Sequence, residues 1–206
     1  MMSWLRAALS WKPWVSLLVL GATSALAHAP TFFVWLLPLT FGPALWLVWQ
    51  RQTAIGCIWA VWLFALAHFA VGMYWLAAPL FVAPQNVPFG LMGSVIGTPV
   101  AVLGIPGAIA GCFALPVGLT VYGLNQKDKA LSWFNILVIA LAWACGDWLR
   151  SWVLTGLPWN LTAYVWGWSL TMMQSAAWIG PYGLTLVTAV VAFGPALALK
   201  QNIEPT

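Results

Sequence analysis

Seven Lys or Arg and three Asp or Glu are all the charge that 206 residues carry, and this scarcity decides which solvent the chain can fold in. An ordinary soluble domain has roughly 25% charged residues, whereas here the share is 5%, with 63% hydrophobic. That is too little to cover a surface facing water. A bilayer accepts such a chain, because lipid is then the solvent for the outward faces, provided that helices satisfy the backbone hydrogen bonds internally. The expected class is an all-α integral membrane protein.

A helix crossing ~30 Å of hydrocarbon needs about 20 residues, and six apolar runs approach that length. They extend from Trp14 to His28, from Thr31 to Trp49, from Thr53 to Phe81, within Phe89 to Leu124, from Ala130 to Leu149 and within Leu170 to Leu199. Ala29-Pro30 and Gln50-Arg51-Gln52 separate the first three, and Pro84 to Pro88 form a turn. No repeat, low-complexity tract or soluble domain interrupts them, so residues 1–206 read as a single transmembrane domain of about six helices. The runs 89–124 and 151–199 are each long enough to conceal a further crossing, and loop charge arbitrates. With six spans and a cytoplasmic N-terminus, Arg6, Lys12, Arg51, Lys127, Lys129 and Lys200 fall on inner loops and only Arg150 on an outer one. This is the distribution that the positive-inside rule demands. Both termini are then cytoplasmic, and residues 151–169 become an irregular or re-entrant outer-face segment between the fifth and sixth spans, tolerated at membrane depth where protein covers its backbone. The N-terminus also has the layout of a secretory signal, with Arg6 and Lys12 before an apolar core and Ala25-Leu26-Ala27 after it; loop charge does not decide whether the first span is retained.

The basic excess does not point to nucleic acid, because no basic run exceeds the cluster Lys127, Asp128, Lys129. Cys57, Cys112 and Cys145 are odd in number and lie far apart in apolar stretches, which gives neither a disulfide framework nor a metal-ligand spacing. They read as small buried hydrophobes. Tryptophans such as Trp11, Trp14, Trp46, Trp49, Trp166 and Trp168 crowd near segment ends and suit the interfacial belt. His68 lies mid-span with no carboxylate in that span and reads as a hydrogen-bonded packing residue; His28 reads as solvated and interfacial.

The informative stretch runs from Gly146 to Asn160. Asp147 and Arg150 are three residues apart, share a helical face and can form the pair that makes charge near lipid tolerable. Such a pair is either a functional site or a clamp fixing the fifth helix to the following loop. Gly156 and Pro158 then end any helix, since proline removes a donor and biases Leu157 away from helical angles. Trp159 and Asn160 are left on irregular backbone, where a cleft open to lipid and a plain tryptophan anchor are both compatible with the sequence.

The run Asp147-Trp148-Leu149-Arg150, a short apolar stretch, then Thr155-Gly156-Leu157-Pro158-Trp159, resembles the apolipoprotein N-acyltransferase family. Gly21 to Pro30, Gly56 to Trp75 with its Tyr74-Trp75 pair, and Gln174 to Gly183 with Gly180-Pro181-Tyr182-Gly183 resemble that family's first, third and sixth spans. Asp147 stands where the family usually has Glu, Leu157 where it has Phe, and Ala163 before Tyr164 where it has Gly.

The resemblance covers nearly all of this chain but under half of a full-length family member. It implies transfer of an acyl chain from a phospholipid, typically phosphatidylethanolamine, to the N-terminal diacylglyceryl-cysteine of a lipoprotein in the bacterial inner membrane. The implied nucleophile is a Cys activated in a Glu-Lys-Cys arrangement on a nitrilase-like domain. This sequence holds no such arrangement, so no catalytic residue, metal ligand or cofactor site is assigned in it. The expectation is an inactive portion of the enzyme, ending one crossing short at Gln201 to Thr206. For the membrane half the resemblance implies a lipid cleft of Trp159, Pro158, Gly156, Tyr164 and Trp75, held by Asp147 and Arg150. The rival classes are a small transporter or channel, which would show repeated halves and midplane polar groups, and a non-catalytic partner of a separate nitrilase-like chain.

Overall fold

The computed structural model describes residues 12–128, 130–153 and 156–200; Arg6, Trp11, Lys129, Leu154, Thr155 and the tail from Gln201 to Thr206 lie outside the described residues. Among the described residues there are helices and no strands. Helix α1 spans Pro13–Ser24, with a 3-10 turn at Ala25–Ala27, α2 spans Leu36–Trp49 and α3 spans Ala54–Gly72. Short α4 (Ala78–Val82) and α5 (Gly90–Pro99) follow, then a π-helical segment at Val100–Gly104 that leads directly into α6 (Ile105–Lys127). Helix α7 spans Trp133–Leu149, α8 Leu170–Gln174, α9 Ala176–Phe193 and α10 Ala196–Lys200. Three helical runs, Ala54–Gly72, Gly90–Lys127 and Ala176–Leu199, are long and apolar enough to cross a membrane, and Pro13–Ala27, Leu36–Trp49 and Trp133–Leu149 are shorter apolar helices.

Local chemistry sets several of the boundaries. Proline at the first position of α1 suits a site whose N–H would have no helical partner. Thr53 caps α3 by accepting from the Gly56 N–H, and Ser132 and Asn135 form a reciprocal capping box at the start of α7. The third apolar run reaches Phe81, yet α3 stops at Gly72, whose carbonyl accepts from the Asn160 amide at 2.8 Å. Gly180, at φ 69°, breaks α9 just before Pro181.

The long helices pack in sequence around one core, α1 on α3, α3 on α6, α6 on α7, α7 on α9 and α9 on α2, which returns to α1. At its centre the Trp143 ring lies 5.0 Å from Phe41, 4.5 Å from Phe113 and 6.0 Å from Phe193. The outward faces are apolar as well: Trp35, Phe89, Leu91, Val95, Leu119, Leu141 and Trp178 all stand exposed. An exposed apolar belt on this scale has no place in water and suits lipid. Several sequence expectations change here. Trp46 is buried in the core and not interfacial, Cys145 is exposed and not buried, and His28 is only 2% exposed. Each depends on which face of a helix turns inward, which packing decides and hydropathy does not.

Candidate functional site

The ion pair of Asp147 and Arg150 lies at the C-terminal end of α7, with Nε donating to Oδ1 at 2.9 Å and relative exposures of 0% and 1%. The sequence places it near a lipid boundary; the structure encloses it in protein. Asp147 Oδ2 accepts from the Thr162 N–H at 3.0 Å and from the Thr185 hydroxyl at 3.3 Å. Arg150 Nη1 donates to the carbonyls of Leu157 at 2.9 Å and Trp159 at 2.5 Å. The guanidinium carbon sits 5.0 Å from the centre of the Phe69 ring and 5.9 Å from that of Phe113, so aromatic faces cover the charge. A buried pair is tolerable when further hydrogen bonds satisfy its remaining groups, and here those bonds all run to the irregular segment or to α9.

That segment is therefore fastened to the core from within. Gly156 has φ 78°, and a side chain there would run into the Ser151 carbonyl, so glycine is required. The Leu157 N–H returns to the Arg150 carbonyl at 3.0 Å. Asn160 takes a left-handed conformation (φ 54°), which Asn tolerates, and from it reaches the end of α3. Leu161, Thr162, Ala163 and Val165 are buried, with the Thr162 hydroxyl accepting from Trp143 Nε1 at 2.8 Å. Ser151 receives the Tyr182 hydroxyl at 2.7 Å, which ties the same loop to α9.

Trp159 is displayed on this frame, 47% exposed, and stacks on Trp75 with ring centres 4.4 Å apart and planes 27° from parallel. Pro158 and Gly156 are half-buried beside it in the chain. Tyr164 is not part of that arrangement. It lines a separate recess of about 130 Å³ with Gly167, Met173 and Pro181. The five residues expected to form one cleft thus divide between two places.

A larger cavity, of about 580 Å³, lies between the π-helical Val100 and Gly104, Ala108 and Cys112 of α6, and Arg150 with Leu157. Cys112 reads in the sequence as a buried hydrophobe and Leu157 only as a neighbour of Pro158 and a departure from the family pattern, leaving Arg150 alone with a candidate site role on this wall. The signal that could have found it is the pair Pro99 and Pro106 within one apolar run, since prolines disturb the helical ladder and π segments are frequent at functional sites.

Deeper in the bundle, His68 bonds through Nδ1 to the Ser24 hydroxyl at 2.7 Å, and Ser24 in turn donates to the Gly21 carbonyl at 2.6 Å. Since that hydroxyl has one proton to give, His68 is the donor there and carries its proton on Nδ1. The His28 ring lies edge-on to it at 5.2 Å. Among the described residues no group of three His, Cys, Asp or Glu is arranged to hold a metal. Cys57 and Cys112 are buried, while Cys145 faces outward. The site so built can hold, orient and shield a ligand.

A family model described as the apolipoprotein N-acyltransferase N-terminal domain matches residues 20–194. Proteins named apolipoprotein N-acyltransferase are similar to this chain over most of its length. The one from Rickettsia typhi is 30% identical over 189 residues, 89% of this chain and 34% of its own length. The one from Rhodopseudomonas palustris is 32% identical over 198 residues, 93% of this chain and 34% of its own; that of Caulobacter vibrioides is 31% identical over 198 residues, 90% of this chain and 34% of its own. The chain thus spans about a third of the length of the curated relatives it matches.

Proposed function

The chain belongs to the apolipoprotein N-acyltransferase N-terminal domain family, and from that membership we propose that it is the membrane domain of an enzyme transferring an acyl chain from phospholipid to the N-terminal diacylglyceryl-cysteine of lipoproteins. Its part in the reaction is to admit and orient lipid, phosphatidylethanolamine by resemblance, beside a nitrilase-like catalytic domain or a separate nitrilase-like chain that carries the nucleophile. It sits in the bacterial inner membrane as a multi-pass protein of six crossings. The observation that carries this reading is the display of Trp159, stacked on Trp75, by a segment whose backbone the buried Asp147–Arg150 pair holds from inside.

The physical division of labour follows from that geometry. Arg150 fixes the carbonyls of Leu157 and Trp159, so the Trp159 side chain is presented with little conformational freedom left to lose on binding. The paired rings give a flat apolar platform at which a lipid chain can be laid. Positioning of this kind accelerates a reaction whose chemical groups reside elsewhere, because the reacting carbonyl arrives already oriented.

The test is a chimera in which this chain replaces the matching third of the Caulobacter vibrioides relative, assayed in membranes for triacylated lipoprotein. The chimera should make product, and Trp159→Ala should lower the rate about tenfold while membrane content of the protein is unchanged. A chimera that accumulates and catalyses equally well after Trp159→Ala and Trp75→Ala together would overturn the assignment of the platform.

A further inference from the structure

The two rings of the Trp159 and Trp75 platform come from separate parts of the chain. Trp159 stands on the irregular segment after α7, whereas Trp75 lies in the 3-10 turn Tyr74–Ala77 that follows α3. Arg150 grips the first part through the Leu157 and Trp159 carbonyls, and its hydrogen bonds reach nothing on α3. Among the described residues one hydrogen bond joins the two parts: Asn160 Nδ2 donates to the Gly72 carbonyl at 2.8 Å. Trp159 is 47% exposed, so burial alone does not hold its ring in place. Its orientation has to come from the backbone on either side.

Both partners of that bond suit it. Gly72 is the last residue of α3, and the last carbonyls of a helix have no partner inside it. A Cβ at Gly72 would stand 2.7 Å from Asn160 Nδ2, so glycine leaves the amide the room that it needs. Asn160 has φ 54°, a left-handed conformation to which Asn is better suited than most residues. The amide has to turn its nitrogen to the carbonyl, because its oxygen has no proton to give. The bond also lies close to both rings. Asn160 follows Trp159 directly, and only the fully buried Met73 and Tyr74 separate Gly72 from Trp75.

We propose that Asn160 is a positioning residue of the platform: its amide holds the end of α3 against the irregular segment and so keeps Trp75 in register for stacking on Trp159. Its use rests on the lipid-handling reading, since the stack is the surface at which that reading lays a lipid chain. Arg150 fixes one ring, and Asn160 brings the other to it.

The purified 206-residue chain in detergent, labelled with 5-fluorotryptophan, tests this clasp without a catalytic assay. The Trp159 fluorine resonance is the one lost in Trp159→Phe, and Trp75→Ala gives the position that it takes with no ring beside it. Asn160→Gly keeps the left-handed backbone accessible and removes the amide; Gly72→Ala displaces the amide from the other side. Both should move the Trp159 resonance to its Trp75→Ala position, with the other tryptophan resonances in place, and the double variant should move it no further. A Trp159 resonance unmoved in either variant would overturn the proposal. Movement of the whole spectrum would overturn it too, because Asn160 would then hold the fold at large. In the chimera Asn160→Gly should lower product formation about fivefold, the worth of one hydrogen bond, and should add no loss once Trp75 is alanine. An equal loss in both backgrounds would show that Asn160 acts other than through the stack. A chimera that is inert, or indifferent to both tryptophans, sinks the lipid-handling reading and leaves the fluorine result standing, so the two fail separately.

Discussion

Arg150 has five N–H donors in a fixed fork, and its placement explains why a charge is kept where hydrocarbon would be easier to bury. Three of those donors tie α7 to Asp147 and to the backbone at Leu157 and Trp159. Removing either partner leaves the other charge buried and unpaired, which costs about 3–5 kcal/mol. Arg150→Leu should therefore lower the melting temperature in detergent far more than Lys127→Leu, whose side chain is exposed, and adding Asp147→Leu should restore part of the loss. Purely additive losses would show that the two charges do not interact. Arg51 is no control for this experiment, because its guanidinium lies 4.5 Å over the Trp14 ring. The spacing of Asp147 and Arg150 is legible in sequence, since a helix makes residues three apart neighbours. The partners Thr162 and Thr185 are not, being 15 and 38 positions away from Asp147, and only tertiary packing brings them there. His28 misled for the same reason: it closes an apolar run, but the fold folds it back against His68.

Helices α3 and α6 approach closely, and one condition of that approach is an absent side chain. A Cβ at Gly118 would stand 2.7 Å from the Cα of Ile58, a contact that backbone cannot relieve. Gly118→Ala should thus force the helices apart and destabilise the protein by about 1–3 kcal/mol, the usual range for overpacking. At Gly123, on the same helix, a Cβ meets nothing within 4 Å. Gly123→Ala should be neutral or stabilise by up to about 1 kcal/mol, because alanine is the better helix former. Thermal melts of the two variants compare the effects directly, and equal melting temperatures would refute the packing argument. At this scale the apolar runs reveal where helices lie, because burial and lipid both demand hydrophobic residues. Their ends are less legible, since the carbonyl at the end of α3 finds its partner in Asn160, remote in sequence, and the π segment at Val100–Gly104 leaves no mark in hydropathy.

The molecule as a whole has two unlike ends. At one end Arg51 packs on Trp14, Asn125 of α6 donates to the carbonyls of Trp49 at 2.9 Å and Arg51 at 3.2 Å, and Asp128 receives the Asn135 amide at 2.8 Å. At the other lie the Asp147–Arg150 pair, the Trp75–Trp159 stack and the irregular segment. That second end presents no thiol nucleophile: Cys57 and Cys112 are buried, and the exposed Cys145 lies on α7 without a described acidic or basic partner. The 206-residue chain alone, reconstituted with phosphatidylethanolamine and a diacylglyceryl-peptide, should accordingly form no triacylated product, and turnover abolished by Cys145→Ala would prove this wrong. The same polarity predicts orientation. Arg51 and Lys127 flank the end where α1 begins and α6 finishes, and a membrane retains Lys- and Arg-bearing short loops on its cytoplasmic side. Arg150, the exception in sequence, is neutralised and enclosed, so it adds little to that balance. Helix α10 returns to pack on α2, whose last residue, Trp49, belongs to the charged end, and Gly194 just before it lies near the ring of Trp133. The last described helix thus packs against α2 and starts near the ring that opens α7. A reporter enzyme active only in the periplasm, fused to Thr206, should be silent, and a fluorescent protein that matures only in the cytoplasm should glow at the same position. Strong periplasmic activity would mean that an odd number of crossings separates the charged end from the fusion, and the six-span arrangement would have to be abandoned.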